Sequence, residues 1–208
     1  MKTKSRGNGD SGPVATKVLA LDAALWCSGF AVLGDQDGEL FTGGSIRPRG
    51  KDRARALAFL WRCVSCLCEA YQPTAIVVER PGNWARASTH SSQATVEALA
   101  QARGVVWAVA GQKGIPCHEM AVMEARGRVV CSLPGWQVPA GRGGTKEQAQ
   151  FAVRALGYPT VMKDGELDGD YADAALLGVA FRWAQLEQLA RSGKSLARRS
   201  SAGGESAS

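Results

Sequence analysis

Apolar residues fill Val18-Leu-Ala-Leu21, stop at Asp22, and resume after a short loop in Gly29-Phe-Ala-Val-Leu33. Short apolar runs broken by polar residues and glycine predict strands, so these two form a tightly joined pair. Asp35-Gln-Asp-Gly38 is a turn cluster and residues 39–46 can form a third strand, which makes the opening segment a three-stranded antiparallel meander. Over residues 52–70 the spacing changes. Leu57, Leu60, Val64 and Leu67 recur at helical intervals with the basic residues elsewhere, the mark of an amphipathic helix. Such a helix returns the chain for a parallel strand, and Ala75-Ile-Val-Val78, bounded by Pro73 and ended by Glu79, supplies one. A strand apolar at every position is usually covered on both faces.

A polar loop over 82–92 precedes a second long helix over 93–110, and Gly114-Ile-Pro-Cys-His118 offers a fifth strand, giving the order βββαβαβ. A short helix over 121–126, a glycine-rich loop (Pro139-Ala-Gly-Arg-Gly-Gly144), a helix over 146–156 and a last helix over 170–190 complete the reading. Thr145 with Gln148 three residues on is a capping-box pattern that starts the helix at Lys146. Residues 1–16 and 192–208 are rich in Lys, Gly and Ser without apolar periodicity. They read as disordered tails around one domain spanning 17–191.

Composition narrows the class. A chain of 208 residues with 45% hydrophobic and 21% charged residues can bury one real core, and none of its apolar runs approaches the roughly 20 residues of a membrane span. The net charge of +6 and pI near 9.2 favour a polyanion such as nucleic acid, although many proteins with that balance bind none. The six cysteines sit mostly in apolar segments behind no secretory signal, which predicts reduced thiols in the cytoplasm. Cys63, Cys66 and Cys68 invite a zinc reading, but they lie on the periodic helix without a second pair, and His90 and His118 are distant in sequence. Gly141-Arg-Gly-Gly144 lacks the preceding strand and the Gly-Lys-Ser/Thr of a phosphate-binding fingerprint, so no nucleotide cofactor is expected. Trp61, Trp107 and Trp183 fall on helical stripes and suit a core or a dimer interface.

The acids carry the chemistry. Asp22 and Glu79 each end an apolar strand; if those strands are parallel neighbours, both carboxylates emerge at one sheet edge, where open α/β sheets place ligands. Asp170 and Asp173, three apart at a helix start, share a face, and a helix N-terminus favours negative charge by up to about 1 kcal/mol. Four converging carboxylates repel unless a cation joins them, and oxygen donors in a chain with two histidines favour magnesium or manganese over zinc. Two such ions about 3.5 to 4 Å apart can activate a water and stabilise the leaving oxygen of an in-line phosphoryl displacement. Singly, each acid has an ordinary role: Asp22 as a turn residue, Asp170 and Asp173 as charges complementing a helix dipole, Glu79 as a partner for Arg80. Their conjunction and order set them apart.

Val18–Asp22 with Gly29–Leu33, Ile76-Val-Val-Glu79, Leu99-Ala-Gln-Ala-Arg-Gly104, Gly141-Arg-Gly-Gly-Thr-Lys-Glu-Gln148 and Asp170-Tyr-Ala-Asp-Ala-Ala175 span nearly all of the ordered chain. In that order they resemble the RuvC-type Holliday junction resolvases. The resemblance implies a ribonuclease H-like fold, with a five-stranded mixed sheet of three antiparallel and two parallel strands flanked by helices. It implies that Asp22, Glu79, Asp170 and Asp173 hold two magnesium ions per active site, with manganese able to substitute. It further implies a homodimer that nicks opposed strands of a four-way DNA junction, the symmetry of the protein matching that of its substrate. Lys146 is placed by the resemblance beside the scissile phosphate, as a fifth catalytic residue; alone it reads as a solvated helix-start lysine. Arg80, Trp84, Arg86, Arg128, Arg142 and Lys146 are the expected DNA contacts. The family's junction-inserting aromatic usually follows the strand-four glutamate closely, whereas here Arg80, Pro81, Gly82 and Asn83 intervene before Trp84. Trp84 can stack on a splayed base for about 1 to 3 kcal/mol, or pack onto its own domain.

Three other readings compete. A related nuclease could act on RNA, RNA–DNA hybrid or other branched DNA. An actin-like sugar or acetate kinase shares the opening strand pair, but this chain is too short for its two lobes. A non-catalytic DNA-binding module would not need the four acids.

Overall fold

The computed structural model describes residues 17–34, 39–80, 92–135, 145–159, 161–163 and 166–202. In chain order the elements are β1 (Val18–Asp22), β2 (Ser28–Leu33), β3 (Leu40–Ile46), α1 (Arg53–Tyr71), β4 (Ala75–Glu79), α2 (Gln93–Lys113), β5 (Cys117–Met120), α3 (Val122–Val130), α4 (Thr145–Ala155), β6 (Met162–Lys163), β7 (Glu166–Leu167) and α5 (Gly169–Ala202). Local chemistry sets their limits. The Asp52 carboxylate accepts the Arg55 amide at 2.9 Å and starts α1, while Gln72, at φ 49°, turns into the left-handed region ahead of Pro73 and ends it. Ser92 caps α2 through the Thr95 amide at 3.2 Å, and Gly114, at φ 65°, closes its other end.

Five strands lie in the order β3-β2-β1-β4-β5. The first three pair antiparallel as a meander, and β4 and β5 join parallel to β1, the three-plus-two arrangement expected. Alternation along the strands gives the sheet two unlike faces. Leu19, Leu21, Val32, Ile46, Ile76 and Val78 form one core cluster with Leu60, Val64 and Cys68 of α1 and Ala102, Val106, Val109 and Ala110 of α2. The intervening positions, Ala20 and Leu33 among them, meet the first half of α5.

The structure departs from the sequence reading at element ends. The fifth strand is Cys117–Met120, not 114–118, because Gly114 and Ile115 donate their amides back to α2 and terminate that helix. Helix α2 runs to Lys113, α3 to Val130 and α5 to Ala202, each longer than predicted, and α4 begins at Thr145, the residue expected to cap it. The β6–β7 pair was not foreseen, since two-residue strands are too short to carry a period. Residues 15–182 form one unit and the stretch beginning at Trp183 another. Within the latter, the described side chains pair along the helix itself, Arg191 with Glu187 at 3.7 Å and the Ser192 hydroxyl with the Gln188 carbonyl at 2.9 Å.

Candidate active site

Alternation decides which way the strand-end acids point. Leu19 and Leu21 face α1 and α2, so Ala20 and Asp22 face the other side; Ile76 and Val78 do the same for Glu79. Register brings the two together, since the parallel pairing that ends at Leu21↔Val78 places Asp22 and Glu79 next in line. The first half of helix α5 lies on the same face, and small residues let it close. Gly29 pairs with Asp22 across β1 and β2, and a Cβ there would run into the Asp170 carbonyl. At Gly178 a Cβ would meet the side chains of Leu33 and Ala20. Helix and sheet therefore approach at backbone distance, and the first turn of α5 delivers Asp170 and Asp173 beside the strand-end acids.

The four acids feel one another. Burial first, then a hydrogen bond with Glu79, then the negative charges of Glu79, Asp173 and Asp170 hold the Asp22 carboxyl well above the usual carboxylate range. Asp173 is answered by a cation absent from the sequence reading: the buried Arg126 guanidinium of α3 donates one NH2 to both of its oxygens, at 2.7 and 3.0 Å. The Cys27 thiol in the β1–β2 loop donates to Asp170 Oδ2 at 2.8 Å. Burial and that hydrogen bond push the thiol up against the lowering pull of Arg47, which keeps it a donor at neutral pH. Behind the site stands Asp168, also missed. Its carboxylate is buried and accepts the amides of Asp170 and Tyr171 at 3.0 and 3.3 Å, the Ser45 hydroxyl at 2.5 Å and Arg47 at 2.5 Å. Burial alone would raise it, but these donors and the Arg47 charge outweigh burial and hold Asp168 below its ordinary value. The one signal for Asp168 in the sequence was an N-cap residue directly ahead of a helix; nothing signalled Arg126.

The expected basic contacts fare unevenly. Arg80 follows Glu79 and pairs with Glu124 of α3 at 3.6 Å on the surface. Arg128 is partly buried on α3, the helix whose Arg126 turns to the acids. Lys146 is the second residue of α4. Trp84, Arg86 and Arg142 lie outside the described residues. An aromatic that was not singled out, Trp26, stands 44% exposed on the β1–β2 loop beside Cys27. Of the helical tryptophans, Trp61 packs against the core and Trp107 is exposed. His118, lowered by burial, stacks on Phe181 with ring centroids 4.9 Å apart. The thiols of Cys63, Cys66 and Cys68 are free.

Among the described residues no three His, Cys, Asp or Glu side chains stand together as a set that could hold a metal ion; Asp22 is hydrogen-bonded to Glu79, Asp170 to Cys27 and Asp173 to Arg126. The donor set nonetheless suits a hard divalent ion. Burial, the hydrogen bond with Glu79 and the charges of the other acids together drive Asp22 toward its neutral form, and Arg126 offsets one charge of the group.

Comparison with known proteins agrees with this geometry. A family model described as crossover junction endodeoxyribonuclease RuvC matches residues 18–175. The protein of that name from Nitratidesulfovibrio vulgaris (strain DP4) is 33% identical over 165 residues, covering 76% of this chain and 87% of its own length. Its namesake from Aromatoleum aromaticum is 30% identical over 163 residues, covering 77% and 78%. Among solved structures, Thermus thermophilus RuvC in complex with Holliday junction substrate superposes with a TM-score of 0.62 at 16% identity, covering 83% of this chain and 96% of that one. The yeast mitochondrial Holliday junction resolvase Ydc2 gives 0.58 at 13%, covering 88% and 85%. At these identities the two structures speak for the fold, a ribonuclease H-like mixed sheet with flanking helices. No described helix is long and apolar enough to cross a membrane.

Proposed function

Because this chain belongs to the RuvC family of crossover junction endodeoxyribonucleases, we propose that it resolves four-way DNA junctions by paired symmetric nicks, as a homodimer, in the cytoplasm of a bacterial cell or, if the protein is viral, of the infected host cell. The observation that carries this reading is the placement of Asp22 and Glu79 at the ends of adjacent parallel strands with the start of α5, which bears Asp170 and Asp173, packed against Gly29 on the same face. These four carboxylates would hold divalent metal, magnesium by preference with manganese as a substitute. When bound, the metal supplies an activated water and stabilises the oxygen that leaves the phosphorus.

The chain's own residues do the rest. Arg126 offsets the charge of Asp173 through a charge-assisted hydrogen bond. Lys146, at the start of α4, is a phosphate contact. Trp26, exposed on the loop after Asp22, offers a stacking surface for an unpaired base, alongside Trp84. Arg80, Arg86, Arg128 and Arg142 complete a basic surface for the phosphates, whose neutralisation makes binding fall steeply with salt.

A synthetic four-way junction tests the proposal. Cleavage requires magnesium or manganese, and Asp22→Asn abolishes it while junction binding persists. Preference for RNA–DNA hybrid over the junction would reassign the substrate, and undiminished cleavage by Asp22→Asn would remove the mechanism.

A further inference from the structure

We propose that Cys27, Arg47 and Asp168 are positioning residues that hold Asp170 in one orientation through a closed ring of hydrogen bonds. The inference rests on the reading above, in which Asp170 is a metal-holding carboxylate, and deepens it by naming what aims that carboxylate.

The ring can be walked atom by atom. The Asp170 amide donates to Asp168 Oδ1 at 3.0 Å. Asp168 Oδ2 accepts the Arg47 NH2 at 2.5 Å. The same guanidinium donates through Nε to Cys27 Sγ at 3.2 Å, and the Cys27 thiol donates to Asp170 Oδ2 at 2.8 Å. Both the backbone and the side chain of Asp170 are thus tied, by residues from three separate stretches: the β1–β2 loop, the residue after β3 and the residue before α5.

Helix capping accounts for only half of this. A capping carboxylate needs one oxygen for the first amides of its helix, and Asp168 Oδ1 does that work with Asp170 and Tyr171. Its second oxygen is spent on Ser45 and Arg47, neither of which belongs to α5. Ser45 also accepts from Arg47 NH2 at 3.3 Å, which steadies the guanidinium so that its Nε meets the sulfur. A protonated thiol has a single hydrogen to give, and here it goes to the Asp170 carboxylate. Because the guanidinium's fork is planar and rigid, displacing any one member shifts the others.

Two variants of the full-length chain separate positioning from folding. Cys27→Ala removes the last bond of the ring in a partly exposed loop. Asp168→Asn keeps a good helix cap, since Asn caps as well as Asp, but removes the charge that holds Arg47. The measurements are Mn2+ binding by electron paramagnetic resonance titration, nicking of a synthetic four-way junction, and the melting temperature. Both variants are expected to melt within a few degrees of the unmodified chain, and to lose about tenfold or more both in Mn2+ affinity and in nicking rate, in the range seen when the outer partners of metal ligands are removed. Cys27→Ser, which restores an X–H donor, is expected to recover most of both losses. Mn2+ affinity and rate within twofold of the unmodified chain in Cys27→Ala and Asp168→Asn would overturn the proposal. Asp170→Asn is the control for the reading beneath it. Loss of cleavage there with no effect in the ring variants refutes the ring alone, whereas full cleavage by Asp170→Asn refutes the active-site reading and the ring with it.

Discussion

The two faces of the sheet are built to different ends. Toward α1 and α2 it presents Leu19, Leu21, Ile76 and Val78, large aliphatic side chains buried among Leu60, Val64 and Val106. Toward the first half of α5 it presents Leu33 together with the small residues Ala20, Gly29 and Ala31, with acids at the edge. The first face holds helices at side-chain distance and stabilises the fold by about 25 cal/mol per Å² of apolar surface removed from water. The second gives up bulk so that a helix start can touch the backbone of β2 and carry two carboxylates to two others. Proximity is what that face gains, and charge repulsion is what it must offset. Arg126 answers one of those charges, while the Cys27 thiol bonds the Asp170 carboxylate and the Asp168–Arg47 pair stands beside them.

The sharpest way to break this contrast is through Arg126. Removing one partner of a buried ion pair takes away the counter-charge of the other, a loss of about 3 to 5 kcal/mol. Arg126→Ala should therefore lower the metal-free melting temperature strongly, and saturating Mg2+ should restore part of it by supplying a cation to Asp173. Equal melting temperatures of the variant and the unmodified chain without metal would show that the acids need no counter-charge.

A matched pair of truncation and enlargement separates the faces directly. Leu60→Ala on the α1 side leaves a cavity and should cost about 2 to 5 kcal/mol in denaturant unfolding, with the nicking rate per folded molecule unchanged. Gly29→Ala on the α5 side should cost about 1 to 3 kcal/mol by overpacking, and should also depress nicking because the methyl pushes against Asp170. If both variants lose activity in proportion to stability alone, the division of labour between the faces fails.

The smallest effect is that of pH. The Asp22 carboxyl, raised in the folded chain, holds its proton where an unfolded carboxyl has lost it. Without metal, its contribution makes stability fall as pH rises from about 3.9 through the raised value, by at most about 1.4 kcal/mol per pH unit. Asp168 has the opposite sign. Held below its ordinary value, it contributes stability above that value which is lost as pH falls through the lowered one. Asp22→Asn should flatten the first slope in urea titrations across pH and leave the acid limb due to Asp168. A divalent cation should reverse the first slope by favouring the ionised carboxylate.

Much of this was legible in the chain. Periods of two and 3.6 residues marked the main strands and helices, and the sequence showed Asp22 and Glu79 at strand ends and Asp170 and Asp173 at a helix start. These signals are local, carried by neighbours within a few residues. Element ends were less readable, because Gly114 and Gln72 stop helices through backbone conformation rather than through pattern. The surroundings of the acids were not readable at all. Cys27 and Asp170 lie 143 residues apart, Arg47 and Asp168 121, and Arg126 and Asp173 47. A thiol in a loop, an arginine after a strand and an arginine on a short helix have no period and no motif; only the docking of α5 onto the glycine-lined face brings them within bonding distance. The sequence alone determined which carboxylates there were to gather, and the tertiary structure decided what holds each of them, since hydrogen bonds act over about 3 Å of space irrespective of separation along the chain.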